Sequence, residues 1–387
     1  MILKGKFAEA KVFADVIDYA AIDSIKKILN LSSLEGASIS IMPDVHKCSE
    51  YAVVGYVQKG GKIMPSLVSA DIACGMEVFK IEEKEIDFPK FDRIVREVNS
   101  TIHEKAKFDF SKLRCPHNDK KALDSISCGG GNHFVEIDKD EEGNLYLVIH
   151  SGSRNLGGQI YKYYQELAYK NCNSIREEKA ALIKKLKEER REKEIQTELN
   201  KIHKDPVSKE TSYLEGKDLE DYIHDCQIAN EFSIYNRALI AESIMKEYGL
   251  HGFHYITCIH NYVDEEGIVR KGAISAKKGE LVYIPISQKD GGLICEGLGN
   301  EEFLHSAPHG AGRLMSRSQA KELISLEDAK ESMKGIYTTS ITEGTIDEAC
   351  FAYKSIEDII PQLENTCNII KRIFPIYNFK EEETKRF

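Results

Sequence analysis

The chain has 387 residues, of which 42% are hydrophobic and 30% charged, and it contains no tryptophan. That length allows one large core or two domains and excludes a small disulfide-stapled module. Lys and Arg number 53 against 63 Asp and Glu, a net charge of −10, so no overall basic excess marks a nucleic-acid binder. A local basic groove stays compatible with that balance, because salt confines each charge to about 10 Å.

The first residues, MILKGKFAEAKVF, lack the apolar run of a signal peptide. No stretch approaches the ~20 apolar residues that span a membrane. Ten cysteines stand singly, without a C-x-x-C pair. The expectation is a cytoplasmic protein with reduced, mostly buried thiols and no membrane partner.

Residues 1–80 read as β-rich, with one short helix in VFADVIDYAAIDSIKKILNL and strands in ASISIMPDVH and YAVVGYVQKG. Residues 83–110 carry apolar positions at helical spacing. SCGGGNHFVEID is a glycine turn entering a strand, and LYLVIHSGSRNLG is an apolar strand leading into a small-residue loop. Residues 159–245 form a long helical region, an insertion within one domain covering 1–387. Its middle, Ser174 to Ile202, interleaves acids and bases as a solvated or projecting hairpin does; an RNA-gripping arm is the sharper alternative. Strands return in FHYITCIHNYV, IVRKGAISA and LVYIPIS. After HGAGR the pattern reads as helical to a frayed tail, KEEETKRF.

Several positions along this pattern carry chemistry. Asp71 and Cys74 in SADIACGM offer a carboxylate and a thiol on one turn. His133 follows three glycines that permit close backbone approach to a group such as phosphate. In the strand beginning there, Asn132, Phe134 and Glu136 face the opposite side from His133. His150 and His260 each end an apolar strand. Thiolate, imidazole and carboxylate together suit a borderline divalent ion; the donors alone point to Zn, and Mn stays open. His309 sits in the small-residue loop SAPHGAGR, where an accessible imidazole serves as a nucleophile toward phosphorus, a further metal ligand or a general acid. Asp44 and His46 in IMPDVHK can ligate or relay a proton. Arg154, Arg313 and Arg317 are candidates for holding RNA or nucleotide phosphates.

As a set, MPDVH, D-I-x-C-G-M, GGGNHFVE, HSGSR-x-L-G, HN followed by RKGA, HGAGR-x-MSR and the late AYK resemble the RtcB family of RNA-splicing ligases, in family order and over about residues 9 to 380. The resemblance implies an α+β fold of packed mixed sheets flanked by helices, with a central metal cleft. It implies a GTP- and Mn-dependent RNA ligase that joins 2′,3′-cyclic phosphate or 3′-phosphate ends to 5′-hydroxyl ends. Its partners are broken RNA, GTP and an archease-like activator. On the matching positions, Asp71, Cys74, His133, His150 and His260 are the ligands of two Mn²⁺ ions, with Cys74 shared, and His309 becomes guanylylated. Asn132, Glu136, Asn261, Ser287, Gly310, Ala311, Gly312, Tyr353 and Lys380 hold the guanylate, and Asp44 lies near the reaction centre. Two segments depart from the family pattern. The family's V-D-I-G-C-G-M reads A-D-I-A-C-G-M, and its P-G-S-M-G-x-x-S-Y loop reads Pro285 to Leu293 with one serine, Ser287. The second departure bears on nucleotide specificity and motivates an alternative: a metal-dependent RNA cyclic phosphodiesterase that does not ligate.

Overall fold

The computed structural model describes residues 1–202 and 205–382. Strands β1 (Ile2–Lys4), β2 (Glu9–Val12), β3 (Ser38–Lys47) and β4 (Val53–Lys59) open the chain, followed by β5 (Gly75–Ile81), β6 (Phe134–Lys139) and β7 (Leu145–Ser151). The second half supplies β8 (Gly252–Ile259), β9 (Asn261–Val263), β10 (Val269–Lys271) and β11 (Ala273–Ser275), then β12 (Leu281–Ser287), β13 (Gly291–Gly297), β14 (Ser306–Pro308) and β15 (Cys367–Phe379). They form a six-stranded sheet in the order β1-β2-β3-β4-β10-β9, a seven-stranded sheet in the order β12-β13-β15-β6-β7-β5-β8, and the pair β11-β14. The smaller of the two large sheets is mixed, since β2 and β3 run parallel; the larger is antiparallel at every pairing.

β7 is a strand of the larger sheet that is buried on both faces. Leu145, Leu147 and Ile149 enter one core, and Tyr146 and Val148 enter another. An uninterrupted apolar run of that length is what a doubly covered strand needs. The first core is closed by α1 (Tyr19–Leu29), α2 (Phe88–Thr101), α3 (Asp119–Leu123), α4 (Arg154–Cys172) and, further along, the 33-residue α7 (Gly216–Tyr248). Between them α5 (Arg176–Glu188) and α6 (Ile195–Leu199) carry the charge-dense stretch. There Arg191 pairs with Glu189 and Glu194, so these charges answer one another on a solvated face. The segment read as an insertion also serves the core, because Tyr164 of α4 and Tyr222, Phe232 and Ile240 of α7 are fully buried.

Past His309 the structure differs from the helical expectation. Three short helices, α8 (Arg317–Leu323), α9 (Leu326–Ser332) and α10 (Ile356–Leu363), lead into β15, an interior strand of the larger sheet. Pro375 argues against an interior strand by sequence alone. Here the pairing with β6 slips between Pro375 and Tyr377, a bulge that accommodates the missing N–H. The tail is likewise ordered at its start. Lys380 is buried and Glu381 bridges to Gly130; residues 383–387 of the expected frayed tail lie outside the described residues. Among the described residues no helix is long and apolar enough to cross a membrane.

Candidate active site

Four adjacent strands of the larger sheet end together. Register sets Gly75 of β5 opposite Ser151 of β7 and Ile259 of β8, and Phe134 of β6 opposite His150 of β7. Neighbouring strands lie about 4.8 Å apart, so Cys74, His133, His150 and His260 are drawn to one end of the sheet. Cys74 Sγ is 3.2 Å from Nε2 of His133 and 3.2 Å from Nε2 of His150. The donor atoms of these three lie within 4.8 Å of one another. Asp71 and His260 flank that trio. Asp71 Oδ2 is 3.3 Å from His133 Nε2, and the His260 ring is 5.3 Å from that of His150 and 4.8 Å from that of His309.

The turn that carries Asp71 and Cys74 is strained. Ser69 and Ala73 both have left-handed backbones, φ 71° and 56°, which cost a non-glycine residue about 1–3 kcal/mol. Position 73 is where the family pattern has glycine. Gly152 is needed for space, since a Cβ there would stand 2.1 Å from Asp71 Oδ1. Gly129 answers a different need from the one its sequence suggested. Its Cβ would strike the Arg154 guanidinium at 2.1 Å, so the glycine turn makes room for an arginine. Arg154 is buried, donates to His133 Nδ1 at 3.2 Å, and lines a second cleft that shares Asp71 and Asn132 with the first.

The donor set fits a divalent cation. Burial, reinforced by the neighbouring imidazoles, lowers His150 and His260 well below the ordinary histidine range, and burial lowers His133 as well. All three therefore present neutral nitrogens at pH 7. His150 Nδ1 donates to the Asn132 carbonyl at 3.1 Å, which leaves Nε2 as the lone-pair nitrogen facing Cys74. Burial opposes the Asp71 carboxylate, but its bonds to His133 and Cys74 and the Arg154 charge hold it below the usual range. Burial, and then the Asp71 charge, push the Cys74 thiol well above its usual range. The cluster thus lacks the positive charge that a thiolate beside a carboxylate requires.

His309 stands on the far side of His260, at the end of β14. Its Nδ1 lies 2.7 Å and its backbone N–H 3.1 Å from the same oxygen, Oδ2 of Asp44 on β3. Asp44 is fully buried, and its Oδ1 has no hydrogen-bond partner among the described residues. The carboxylate accepts from Nδ1–H and so holds Nε2 as the free lone pair. His46 lies alongside; burial takes its pKa down to about 4, against the hydrogen bond that its Nδ1–H donates to the Asp44 carbonyl at 3.1 Å.

Both features open into one cleft of about 430 Å³. Its wall includes Asp71, Cys74, His150, His260 and His309 together with Asn132, Glu136, Asn261, Ser287, Gly310, Ala311, Gly312, Tyr353, Lys380, Arg313 and Arg317. Asp44 and His133 stand just behind it. The helical pattern was expected to start directly after HGAGR. Instead α8 starts at Arg317, behind a Ser316/Gln319 capping box, and Arg313 and Arg317 meet at Glu348, 3.2 and 2.7 Å away. Tyr353 also donates to Glu348. Asn261 works on the backbone, donating to Asp71 O at 3.2 Å and accepting from Gly272 N at 2.9 Å.

The family model described as "tRNA-splicing ligase RtcB" matches residues 106–381. The chain belongs to the RtcB family of RNA ligases. The RNA-splicing ligase RtcB of Escherichia coli (strain K12) is 28% identical over 384 residues, 86% of this chain and 87% of that protein. The RNA-splicing ligase RtcB2 of Escherichia coli (strain ATCC 25922) is 26% identical, over 96% of this chain and 94% of its own length. The tRNA-splicing ligase RtcB of Aeropyrum pernix is 27% identical over 69% of this chain and 62% of its own.

Two residues that support this RtcB site escaped the sequence reading. Arg237, fully buried in the middle of α7, donates through Nη1 to the carbonyls of Ala73 at 3.2 Å and Ser151 at 2.8 Å, and pairs with Glu77 at 3.2 Å. It ties together the residue before Cys74 and the residue after His150. Glu348 gathers Arg313, Arg317 and Lys380 around one buried carboxylate. Burial opposes that charge, but the three cations keep Glu348 below the usual carboxylate range.

The thiol has a consequence for metal binding in this RtcB protein. At pH below its raised pKa, Cys74 would lose a proton on taking an ion, whereas a neutral imidazole ligating through its lone pair, as His150 Nε2 could, would lose none. Apparent affinity for MnCl₂ should therefore rise about tenfold per pH unit between about pH 6 and 8. Calorimetry in buffers of different ionisation enthalpy should count about one proton released per ion bound at Cys74. An affinity that does not change with pH would contradict the thiol assignment.

Proposed function

We propose that the chain seals RNA ends bearing a 2′,3′-cyclic phosphate or 3′-phosphate to ends bearing a 5′-hydroxyl, in splicing or repair, through a guanylyl-histidine formed from GTP. The observation that carries the reading is the Asp44–His309 pair, 2.7 Å from carboxylate oxygen to Nδ1, which leaves Nε2 free beside the cleft. Nε2 attacks the α-phosphorus of GTP; the N–P bond forms as the bond to pyrophosphate oxygen breaks, and Asp44 meets the positive charge that develops on the ring. Water opens the cyclic phosphate to a 3′-phosphate. The guanylate passes from His309 to that phosphate, and attack by the 5′-hydroxyl expels GMP. Lys380, Tyr353, Asn132 and the Gly310–Gly312 loop position the guanylate within the wall they share.

Asp71, Cys74, His133, His150 and His260 are the proposed holders of two divalent ions, with Cys74 shared. When bound, the ions supply neutralising charge to phosphoryl oxygens. The thiol, imidazole and carboxylate donors would suit Zn²⁺ as well; Mn²⁺ is the proposed ion on the likeness to the family. An archease-like activator belongs to the same proposal.

One observation favours the second reading, cyclic phosphate opening without ligation. The hydroxyl of Ser287, the serine retained in the departed loop, is taken up within its own turn. A single assay separates the two. Cyclic-phosphate RNA and 5′-hydroxyl RNA are incubated with MnCl₂, with and without GTP and with and without an archease. Sealed product that needs GTP supports ligation; opened 3′-phosphate alone in every arm supports the phosphodiesterase. Unaltered RNA in every arm rejects both.

A further inference from the structure

The β12–β13 hairpin forms one wall of the cleft, and its turn is Ser287-Gln288-Lys289-Asp290. Ser287 Oγ donates to Asp290 Oδ2 at 2.6 Å and accepts from the backbone N–H of Asp290 at 3.1 Å and of Lys289 at 3.3 Å. A hydroxyl has one proton and two lone pairs, so these three contacts fill it and none remains for a ligand. The next residue is the converse. Gln288 lines the same cleft and is only 5% exposed, and its Oε1 is buried without a hydrogen-bond partner among the described residues. An unpaired buried amide oxygen is unfavourable, and a ligand N–H relieves it.

The cleft wall supplied by β6 is equally unselective in polarity. Phe134 and Glu136, two apart on β6, both reach the cleft and offer a ring and a carboxyl. Glu136 Oε1 accepts from Asn378 Nδ2 at 2.6 Å. Burial first, and then the charge of Asp138, hold Glu136 well above the usual carboxylate range; Asn378 and Lys380 offset this only in part. A neutral carboxyl offers one donor and one acceptor, as an amide does.

We propose that Gln288 reads the base of the nucleotide carried on His309, and that its amide admits guanine and adenine alike. The proposal rests on the His309 reading above. Guanine presents O6 as acceptor beside N1–H as donor; adenine presents N6–H as donor beside N1 as acceptor. A glutamine amide matches the first with Nε2 and Oε1, and the second after a half-turn of its last torsion, a nearly two-fold rotor. Nothing pins Oε1 in one sense. A carboxylate at the same place only accepts, which suits guanine N1–H and opposes adenine N1.

The test uses the full chain with MnCl₂ and α-labelled GTP or ATP, reading label on His309 as kcat and KM for each nucleotide. Wild type should use both within about tenfold. Gln288→Ala should raise both KM values about tenfold, about 1.4 kcal/mol, with kcat little changed, since base contacts bind ground and transition states alike. Gln288→Glu should raise the GTP:ATP ratio of kcat/KM about tenfold or more. Thermal unfolding and metal content, unchanged in both variants, show that the fold is intact. A wild-type preference of a thousandfold for one purine overturns the proposal. So do unchanged KM values in both variants. No label from either nucleotide overturns the His309 reading itself, and this inference with it.

Discussion

Asp44→Asn should slow nucleotide transfer to His309 by about a hundredfold or more, close to 3 kcal/mol at the barrier, while bound metal stays at the wild-type level. The carboxylate does two things that an amide does not do together. It accepts from both the backbone N–H and Nδ1–H of His309 through one oxygen, and it carries the charge that balances the imidazolium formed on attack. An asparagine keeps the shape but loses the charge, and in one orientation it sets an N–H against Nδ1 and selects the wrong tautomer. Single-turnover labelling separates this role from binding: kcat falls, and KM for GTP moves little. Asp44 sits apart from the Cys74 cluster, on β3 of the other sheet, so elemental analysis should show no loss. A rate within threefold of wild type would mean that Asp44 does not orient the nucleophile.

Cys74→Ala should abolish tight metal binding. The thiol is the only donor within 3.2 Å of both His133 and His150 in the buried trio. A structural four-ligand site yields about 10–16 kcal/mol, which is roughly 2.5–4 kcal/mol for each ligand, so affinity should fall about a hundredfold or more. The fold should survive, because the truncation removes one buried sulfur and costs about 1–2 kcal/mol. Circular dichroism checks that point. Metal content unchanged by elemental analysis would remove the case for Cys74 as a shared ligand.

Much of the site was legible because the proposed ligands mark strand ends. His150 closes LYLVI, which folds as the doubly buried β7, and His260 closes YITCI, which folds as the half-exposed edge strand β8. That β7 and β8 flank β5, and so deliver both imidazoles to Cys74, is a matter of sheet order, which local pattern does not encode. Arg237 was invisible for the same reason. It lies mid-helix, 160 residues or more from Glu77 and Ala73, and nothing nearby in sequence announces a buried guanidinium. β15 escaped because the segment after HGAGR patterns as helical, and the bulge opposite β6 is what admits Pro375 to an interior strand.

Arginines were the least readable residues. Their partners within the fold could not be read: Arg154 is enclosed by the glycine turn against His133, and Arg313 and Arg317, which line the cleft, meet the buried Glu348. A guanidinium's partner is set by whichever carboxylate or ring nitrogen the fold buries beside it, and Glu348 carries no local signature. The family's own motifs, by contrast, transferred well where backbone space was the constraint, as at Gly152 beside Asp71.

The most direct test of the account is covalent labelling. The protein is incubated with α-labelled GTP and MnCl₂, denatured, and the label is challenged with acid and with alkali. A phosphoramidate on His309 predicts label that acid removes and alkali leaves, present in the wild type and absent in His309→Ala with metal content intact. Label that persists in His309→Ala, or that resists acid, would contradict His309 as the residue that carries the nucleotide.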